Sequence, residues 1–410
     1  MSKLNHLAVN GGKPIRHRPW PKRNIFGLRE RIAAFNTLKN DLGYNGVLEE
    51  EYCNKFSEYM GGGYTDAVNS GTSAIYVALK ALDIEPFSEI IVSAITDPGG
   101  CMPIPLINCI PIPADSLSGH YNTEFEYIEK NISSLTSAII IPHISGIPVD
   151  IGPIVKTARE RNIPLIEDCS QAHGAHFMGQ KVGTFGDVSV FSTMSSKHHA
   201  TGCQGGVIFT KSENLYWKIR SASDRGKSFF DPQVNDNLTA SLNFNSNDLS
   251  ASIGLEQLQK LDRNIKLRRK FAKVLYDRIR TLKSVSIQFG SSKVESVFWF
   301  LTFKFHSNNV KVSKKDFVEA VFHEGIPLSD HYVSPFTEQY WFKQKKVFGT
   351  SGLPWSSLEY KGDENREYSL PNCKKNEKCL FLLPIHERCG EKEAKDVFDA
   401  LNKVENCYLY

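Results

Sequence analysis

Features that would assign a chain to a membrane or to a nucleic acid are missing from this sequence. Its 410 residues include 49 Lys and Arg against 45 Asp and Glu, so the net charge is +4, and no basic block concentrates it. The most apolar stretch, residues 137–155, is interrupted by Pro142, His143, Pro148 and Asp150, whereas a membrane span needs about 20 apolar residues in succession. We therefore expect neither a nucleic-acid partner nor a membrane partner.

Paired cysteines and an export signal are also missing. The nine cysteines are scattered without a C-x-x-C pair, and an odd count in a large chain is typical of reduced thiols in the cytoplasm. The spacing of Cys373, Cys379 and Cys389 does not match a compact zinc loop. Residues 1–13 lack the apolar core of about 7–15 residues that a secretory signal contains. We expect a cytoplasmic protein without a bound metal.

Short β-branched runs alternate with helical periods from Tyr64 to Thr210. This alternation is typical of βαβ units and predicts an α/β fold with a mainly parallel sheet. Helices are predicted at residues 72–82, 123–131 and 154–161. Strands are predicted at residues 89–93, 109–112, 138–141, 164–167, 187–191 and 206–209.

The pattern changes after Lys211 and predicts a smaller C-terminal α+β domain. Residues 349–378 are rich in Ser, Gly, Asn and charge, and we interpret them as an extended polar surface insertion. We divide the chain into an N-terminal segment with the large α/β domain, residues 1–255, and a small domain, residues 256–410. The predicted elements here are one long amphipathic helix at 247–280, a strand at 297–305, and helices at 314–322 and 391–404.

Four short motifs along the α/β region carry candidate chemistry, and the first is a turn of small residues. Residues 69–73 read Asn-Ser-Gly-Thr-Ser just before a predicted helix. Free main-chain N–H groups, two hydroxyls and the helix dipole would bind an anion such as phosphate there. A plain helix N-cap is the alternative interpretation.

The other three motifs follow strands or precede one. Asp168 lies at the end of a predicted strand, where open α/β sheets bind their ligands. Lys197 follows another strand among small and apolar residues, where an amine can lose its proton and react, although a lone lysine is usually a surface residue. The glycine-rich residues 202–206 allow close approach of the main chain. No G-x-G-x-x-G follows the first core strand, which argues against a nicotinamide enzyme.

The order of these motifs resembles the sugar aminotransferases of the DegT/DnrJ/EryC1/StrS family. The chain reads Asn-Ser-Gly-Thr-Ser, then Glu-Asp-Cys-Ser-Gln-Ala-His-Gly, then Phe-Ser-x4-Lys with Gly-Gly eight residues after the lysine. The similarity extends from Gly-Gly-Lys-Pro-Ile-Arg at 11–16 to Leu-Pro-Ile-His at 383–386. The resemblance implies a pyridoxal 5′-phosphate (PLP) enzyme with the aspartate-aminotransferase fold, fold type I, and a large PLP-binding domain.

The resemblance also implies roles for individual residues. Lys197 matches the lysine that joins the cofactor covalently and moves a proton between the substrate Cα and C4′. Asp168 matches the carboxylate that keeps the pyridine nitrogen protonated, so that the ring accepts electrons. Gln171 matches the residue beside the ring hydroxyl.

Phosphate binding is implied for four further residues. Gly71, Thr72 and Ser192 match the family's phosphate contacts. Asn243 matches an asparagine that reaches the phosphate from the neighbouring subunit, which implies a homodimer with shared active sites.

Several residues depart from the family pattern. Asp97 stands where an aromatic residue usually stacks on the ring, and Asn245 replaces the usual arginine. His198 and His199 are unusual neighbours of the lysine. We interpret at least one of them as structural, with a substrate contact as the alternative.

We therefore predict an aminotransferase that moves an amino group from glutamate or glutamine to a keto or aldehyde sugar, with a nucleotide attached, in amino-sugar or polysaccharide biosynthesis. Residues 329–332 and Phe336 are candidate substrate contacts. Three alternatives stay open: a PLP-dependent sugar dehydratase with histidine in place of lysine, a cyclitol aminotransferase, and a non-catalytic PLP-binding regulatory protein. Lys197 keeps the family's eight-residue spacing to Gly205, whereas placing a neighbouring histidine at the lysine position would break that spacing. This argues against the dehydratase.

Overall fold

The computed structural model describes residues 6–39, 46–231 and 233–410. No helix in these ranges is long and apolar enough to cross a bilayer. The helices are α1 Leu28–Lys39, α2 Val47–Met60, α3 Gly71–Ala81, α4 Pro98–Cys101, α5 Pro103–Leu106, α6 Phe125–Glu129, α7 Gly152–Glu160, α8 Glu213–Ser223, α9 Asp248–Leu258, α10 Leu261–Ile279, α11 Lys314–His323, α12 Tyr340–Lys343, α13 Pro371–Cys379 and α14 Glu391–Tyr408. The strands are β1 Tyr64–Val68, β2 Glu89–Ser93, β3 Ile110–Ala114, β4 Thr136–Pro142, β5 Leu165–Asp168, β6 His176–Phe177, β7 Gln180–Lys181, β8 Val188–Ser192, β9 Gly206–Thr210, β10 Val285–Ile287, β11 Val294–Glu295, β12 Phe300–Phe305 and β13 Leu380–Pro384.

A seven-stranded sheet in the order β1-β9-β8-β5-β4-β2-β3 forms the centre of the large domain. The pairs from β8 to β3 are parallel, and β9 is antiparallel to both of its neighbours. Every residue of β2, β3 and β9 is buried, because helices cover both faces of the sheet. The predicted α/β fold with a mainly parallel sheet is confirmed.

Two local expectations fail because packing overrides the local pattern. The helix predicted at 247–280 is two helices, since α9 packs on α1 and α2 whereas α10 packs on α14. The apolar period runs through both, but their different partners require a change of direction. Strand β1 was not predicted: its Asp66 interrupts the apolar run and is buried against Arg220 of α8.

The segment around residues 349–378 lies mostly at the surface, and a few buried side chains anchor it to the large domain. Trp355 and Tyr360 are buried in the core of that domain, and the Tyr360 hydroxyl donates to Glu89 Oε1 at 2.9 Å. Within α13, the main-chain N–H of Cys373 donates to Asp115 Oδ1 at 2.9 Å. Isolated aromatic residues in polar sequence provide these anchors, and they leave no periodic signal.

The small domain is an antiparallel sheet, β10-β12-β13, covered by α10, α11 and α14. The N-terminal segment, which we predicted with the large domain, contacts this one. The main-chain N–H groups of Ala8 and Ile15 donate to Glu324 at 2.9 and 3.0 Å, and Arg16 pairs with Asp396 at 2.5 Å. The division after residue 255 stays a prediction.

Candidate active site

The carboxyl ends of β5 and β8 bring three predicted site residues to one edge of the sheet. Asp168 is the last residue of β5 and pairs with Val190 in the parallel register. Ser192 is the last residue of β8, and its main-chain N–H donates to Ser170 Oγ at 2.9 Å. Lys197 lies five residues further, in the loop between β8 and β9. Parallel strands thus place the carboxylate and the amine at the same edge.

The small-residue turn begins α3 beside this edge. Ser70 is the N-cap, and its Oγ accepts a hydrogen bond from Ser73 N at 3.0 Å. The first N–H groups of a helix, here those of Gly71 and Thr72, have no partner inside the helix. A Cβ on Gly71 would lie 2.7 Å from Ser192 Cβ, so the two predicted phosphate contacts are neighbours. This corner can bind an anion.

Asp168 is a buried carboxylate that forms no ion pair among the described residues. Its Oδ1 accepts a hydrogen bond from Ser170 N at 3.0 Å. Burial raises the pKa of this carboxyl, and the hydrogen bonds from Ser170 oppose the rise. A carboxylate of this kind fits a protonated ring nitrogen.

Lys197 is buried and forms neither a hydrogen bond through Nζ nor an ion pair in the described part of the chain. Its Nζ lies 3.9 Å from the centroid of the Trp299 ring. Burial lowers the pKa of the amine, and the negative charges of Asp168 and Asp97 oppose the fall. The main-chain oxygen of Lys197 accepts a hydrogen bond from Arg23 at 2.6 Å. An amine so placed can lose its proton and react.

Gln171 joins the large domain to residues that follow α11. Its Oε1 accepts from Ser145 N at 2.8 Å, and its Nε2 donates to the Tyr332 hydroxyl at 2.6 Å. The sequence analysis included Tyr332 among candidate contacts, whereas Trp299 and Arg23 were missed. Trp299 precedes β12 by one residue, and no local motif distinguishes it from an ordinary core aromatic.

The two histidines after Lys197 point away from the site. His198 Nε2 lies 3.2 Å from Val297 O, and His199 Nε2 lies 2.6 Å from the Tyr52 hydroxyl. Both imidazoles are fully buried, and burial lowers the pKa of His199 to about 3. The alternative of a substrate contact is therefore wrong for both, and they pack the lysine loop onto the protein interior.

Two other predicted positions are exposed, and the charge of one of them, Asp97, acts on both Lys197 and Asp168. Asp97 is exposed and caps α4, where its Oδ1 accepts from Gly99 N at 3.0 Å. Asn243 is exposed, and its Oδ1 accepts from Asn245 N at 3.1 Å. The strand-like segment that carries Asn243 runs beside the phosphate turn, because Asn69 N donates to Phe244 O at 2.8 Å. Its role across a subunit interface stays a prediction.

One buried cluster in the described residues has the donor types of a metal site: His143, Glu167 and Cys169. Glu167 Oε2 accepts from Gly183 N at 2.7 Å and lies 3.3 Å from His143 Nε2. His143 Nδ1 accepts from Val149 N at 3.1 Å. These hydrogen bonds occupy the donor atoms of His143 and Glu167 and explain the cluster as structural.

Solved structures define the class of fold. An aminotransferase from Psychrobacter cryohalolentis matches with a TM-score of 0.82 at 24% identity, over 94% of this chain and 98% of that one. Helicobacter pylori PseC, an aminotransferase of pseudoaminic acid biosynthesis, matches with a TM-score of 0.81 at 20% identity, over 93% of this chain and 97% of that one. The chain therefore has the fold of type I PLP aminotransferases.

Sequence comparison then identifies the family. The profile of the DegT/DnrJ/EryC1/StrS aminotransferase family matches residues 28–402, and the chain belongs to this family. GDP-perosamine synthase of Escherichia coli O157:H7 is 32% identical over 62% of this chain and 68% of its own length. An L-glutamine:2-deoxy-scyllo-inosose aminotransferase of Streptoalloteichus tenebrarius is 28% identical over 66% of this chain and 67% of its own length. The resemblance is confirmed, and the protein is a PLP-dependent aminotransferase.

The residues present fit this cofactor. A buried amine without a carboxylate partner, a buried carboxylate without an ion pair among the described residues, and a helix N-terminus against a serine lie around one edge of the sheet. These are the groups that an aldehyde, a pyridine nitrogen and a phosphate require.

Proposed function

We propose that the protein transfers an amino group from glutamate or glutamine to a keto or aldehyde sugar that carries a nucleotide, in amino-sugar biosynthesis. The observation that carries this proposal is the buried Lys197 amine beside Asp168 at the end of the parallel sheet. The GDP-perosamine synthase and the 2-deoxy-scyllo-inosose aminotransferase among the relatives support a sugar-like acceptor. The nine cysteines, scattered along the sequence without a C-x-x-C pair, support a cytoplasmic location.

Five residues would hold the cofactor, which supplies an electron sink when bound. Asp168 would keep a proton on the pyridine nitrogen through its buried carboxylate. The N–H groups of Gly71 and Thr72 and the Ser192 hydroxyl would bind the phosphate. Gln171, fixed between Ser145 and Tyr332, would lie beside the ring hydroxyl.

Lys197 would act as the proton carrier at the substrate. Burial lowers the pKa of its amine, which favours the neutral form that would take a proton from the substrate Cα and return it at C4′. Trp299 and Tyr332 form a wall beside the amine and would exclude water from that transfer.

A cavity of about 660 Å³ beside the lysine loop supports an anionic acceptor. It is lined by Arg23, Arg31, Arg388 and Ser195, by residues 24–27 before α1, and by Leu28 at the start of that helix. Arg31 and Arg388 are exposed and form no ion pair among the described residues. Free guanidinium groups fit the phosphates of a nucleotide-linked sugar.

Two exposed apolar surfaces support the homodimer. Leu28, Ile32, Phe35 and Leu38 are exposed on α1 at a spacing that places them on one face. Close to Asn243, the exposed apolar residues are Phe230, Leu238 and Leu242. Apolar patches of this kind are typical of protein–protein contacts.

Absorbance spectra with PLP, recorded before and after adding L-glutamate or L-glutamine, test the donor half of the reaction. Borohydride should fix the cofactor on the peptide that contains Lys197, and donor should convert bound PLP to pyridoxamine phosphate. Lys197→Ala should lose both signals, whereas the exposed Lys266→Ala should keep them. A fully active Lys197→Ala variant would contradict the proposal.

The acceptor half is tested with a 4-keto sugar nucleotide. Arg31→Ala with Arg388→Ala should raise KM for this acceptor by about tenfold or more, since a hydrogen bond to a charged group contributes about 1.5–3 kcal/mol. Conversion of the cofactor by glutamate should be unchanged. An equal loss in both half-reactions would contradict an acceptor site at these arginines.

A cyclitol aminotransferase is the second candidate, because the inosose enzyme is among the relatives. Cyclitol ketones lack a nucleotide, so their turnover should not depend on Arg31 and Arg388. Turnover of scyllo-inosose without turnover of the sugar nucleotide would favour this candidate.

A further inference from the structure

The Lys197 amine is held by an aromatic ring and not by the nearby carboxylate. Nζ lies 3.9 Å from the Trp299 centroid, a distance at which a cation is attracted to the ring face. No ion pair joins Lys197 to Asp168 within the described residues, although the Asp168 charge acts on the lysine. An ammonium group on a flexible stem would normally pair with a nearby buried carboxylate, so something must hold it elsewhere.

Trp299 is itself fixed from several sides. Its Nε1 donates to Ser196 O at 3.0 Å, and its main-chain N–H donates to Ser145 O at 2.8 Å. The ring meets Tyr332 edge to face with centroids 6.4 Å apart, and Phe300 lies at 5.4 Å. The indole therefore presents one face to Lys197 without freedom to move away.

This position is coupled to the candidate cofactor contacts. Ser145, which accepts from Trp299, donates its own N–H to Gln171 Oε1 at 2.8 Å. Ser196, which accepts from the indole, is the residue before the lysine. These hydrogen bonds thus fix the positions of the Trp299 ring, the lysine loop and Gln171 relative to one another.

We propose that Trp299 is a positioning residue whose indole face holds the Lys197 amine in the cofactor-free enzyme and keeps it out of an ion pair with Asp168. Asp168 then stays free for the ring nitrogen, and the amine stays free to react. The inference rests on the proposed roles of Lys197 and Asp168. It also explains how a site with Asp97 at the usual aromatic position still has a ring beside the lysine.

The test is the pH profile of Lys197 in the full-length, cofactor-free protein. Acetic anhydride labels neutral amines, and peptide mass spectrometry reports each lysine separately. The other ionisable groups around Lys197 come from the segment before α1, from β5, from the turn before α4, and from the segments after β5 and after α11: Arg23, Asp168, Asp97, His173 and Tyr332.

Trp299→Leu should release the amine toward Asp168 and raise the apparent pKa of Lys197 by about one unit or more, the usual effect of an opposite charge at close range. Capture of PLP near neutral pH should slow by about tenfold for each unit. In an Asp168→Asn background the same change should lower that pKa instead, because only the ring attraction is lost. Trp299→Phe keeps an aromatic face and should stay close to the wild-type profile.

Tyr340→Leu is the matched control, since it removes a ring from the exposed Lys346, 5.9 Å away, and should leave Lys197 unchanged. If Trp299→Leu fails to fold, fluorinated tryptophan weakens the ring face with little change of shape. The pKa of Lys197 should then rise in the wild-type chain and not in Trp299→Phe.

An unchanged or lowered pKa in Trp299→Leu, or an equal response of the fluorinated Trp299→Phe chain, would overturn the inference. The test of the Trp299 contact and the test of the proposed function can fail independently. If Lys197 titrates as expected but no donor converts the cofactor, the contact with Trp299 stands and the proposed function fails.

Discussion

Asp168 and Lys197 are both moved toward their neutral forms by burial. Burial raises the pKa of the carboxyl and lowers the pKa of the amine, and without an ion pair neither charge is compensated directly. A ligand with a protonated ring nitrogen and an aldehyde would pair with the Asp168 carboxylate and react with the Lys197 amine, so neither buried group would stay uncompensated. The residue pair is thus poorly suited to the cofactor-free fold and well suited to PLP.

The variant Asp168→Asn tests separately how this carboxylate affects the stability of the cofactor-free protein and how it affects the reaction with PLP. The folded carboxyl binds its proton more tightly than the unfolded one, so stability is lost as pH rises above the unfolded value, and at neutral pH the charge opposes folding. We expect the cofactor-free variant to melt at the wild-type temperature or above it. Donor conversion should fall by at least about 100-fold.

Calorimetry and donor spectra check this pair of outcomes. The exposed Asp83→Asn, which loses only a surface pairing with Lys218 at 2.6 Å, should change neither. A sharply lower melting temperature together with retained donor conversion would contradict the electrostatic account.

At the scale of elements, the lysine loop is attached to α2 through neutral imidazoles. His199 contacts Tyr52 of α2 at 2.6 Å, and their rings stack with centroids 5.6 Å apart. The His173 ring lies 6.1 Å from His199 and 6.0 Å from His198. Burial lowers the pKa of all three imidazoles, so the loop packs only while they stay uncharged.

This packing predicts loss of stability in acid. The pKa of His199 falls from 6.5 to about 3 on folding, so the unfolded chain takes up a proton that the folded chain refuses between those values. Each such group costs about 1.4 kcal/mol per pH unit below the unfolded pKa. His199→Gln should reduce the loss of unfolding free energy between about pH 7 and about pH 5 by about 2 kcal/mol.

Urea unfolding at the two pH values measures this difference. The exposed His323→Gln is the control and should follow the wild-type curve. An unchanged acid sensitivity in His199→Gln would mean that His199 titrates in the folded protein.

At the scale of the whole molecule, the proposed homodimer predicts complementation between two defective chains. Lys197→Ala lacks the amine, and Asn243→Asp would place a negative charge beside the phosphate of the partner's site. If Asn243 acts across the interface, each mixed dimer contains one intact site. About a quarter of wild-type activity should return after random mixing.

Activity at limiting PLP, before and after co-refolding the two variants, is the measurement. A mixture that shows only the sum of the separate activities would place Asn243 in the site of its own chain. Phe35→Glu on the exposed face of α1 should lower the dimer fraction in sedimentation, whereas the exposed Arg29→Glu is the charge control.

Local chemistry in the chain was enough to predict much of this protein. The β-branched runs located β2, β4, β5, β8 and β9 within a few residues, because a strand buried on both faces must be apolar throughout. The motifs around Gly71, Asp168 and Lys197 were readable because each lies within a few residues of a strand end or a helix start. The fold follows from these features, and the cofactor follows from the family that the order of the motifs resembles.

Only the tertiary structure decided which distant residues surround the amine. Trp299 and Tyr332 reach Lys197 and Gln171 from more than 100 residues away, and the contacts depend on how the small domain packs on the sheet. The same packing broke the helix at 247–280 and buried His198 and His199. Periodicity records the face that an element buries but not the element that covers it, so these features could not be read from the sequence.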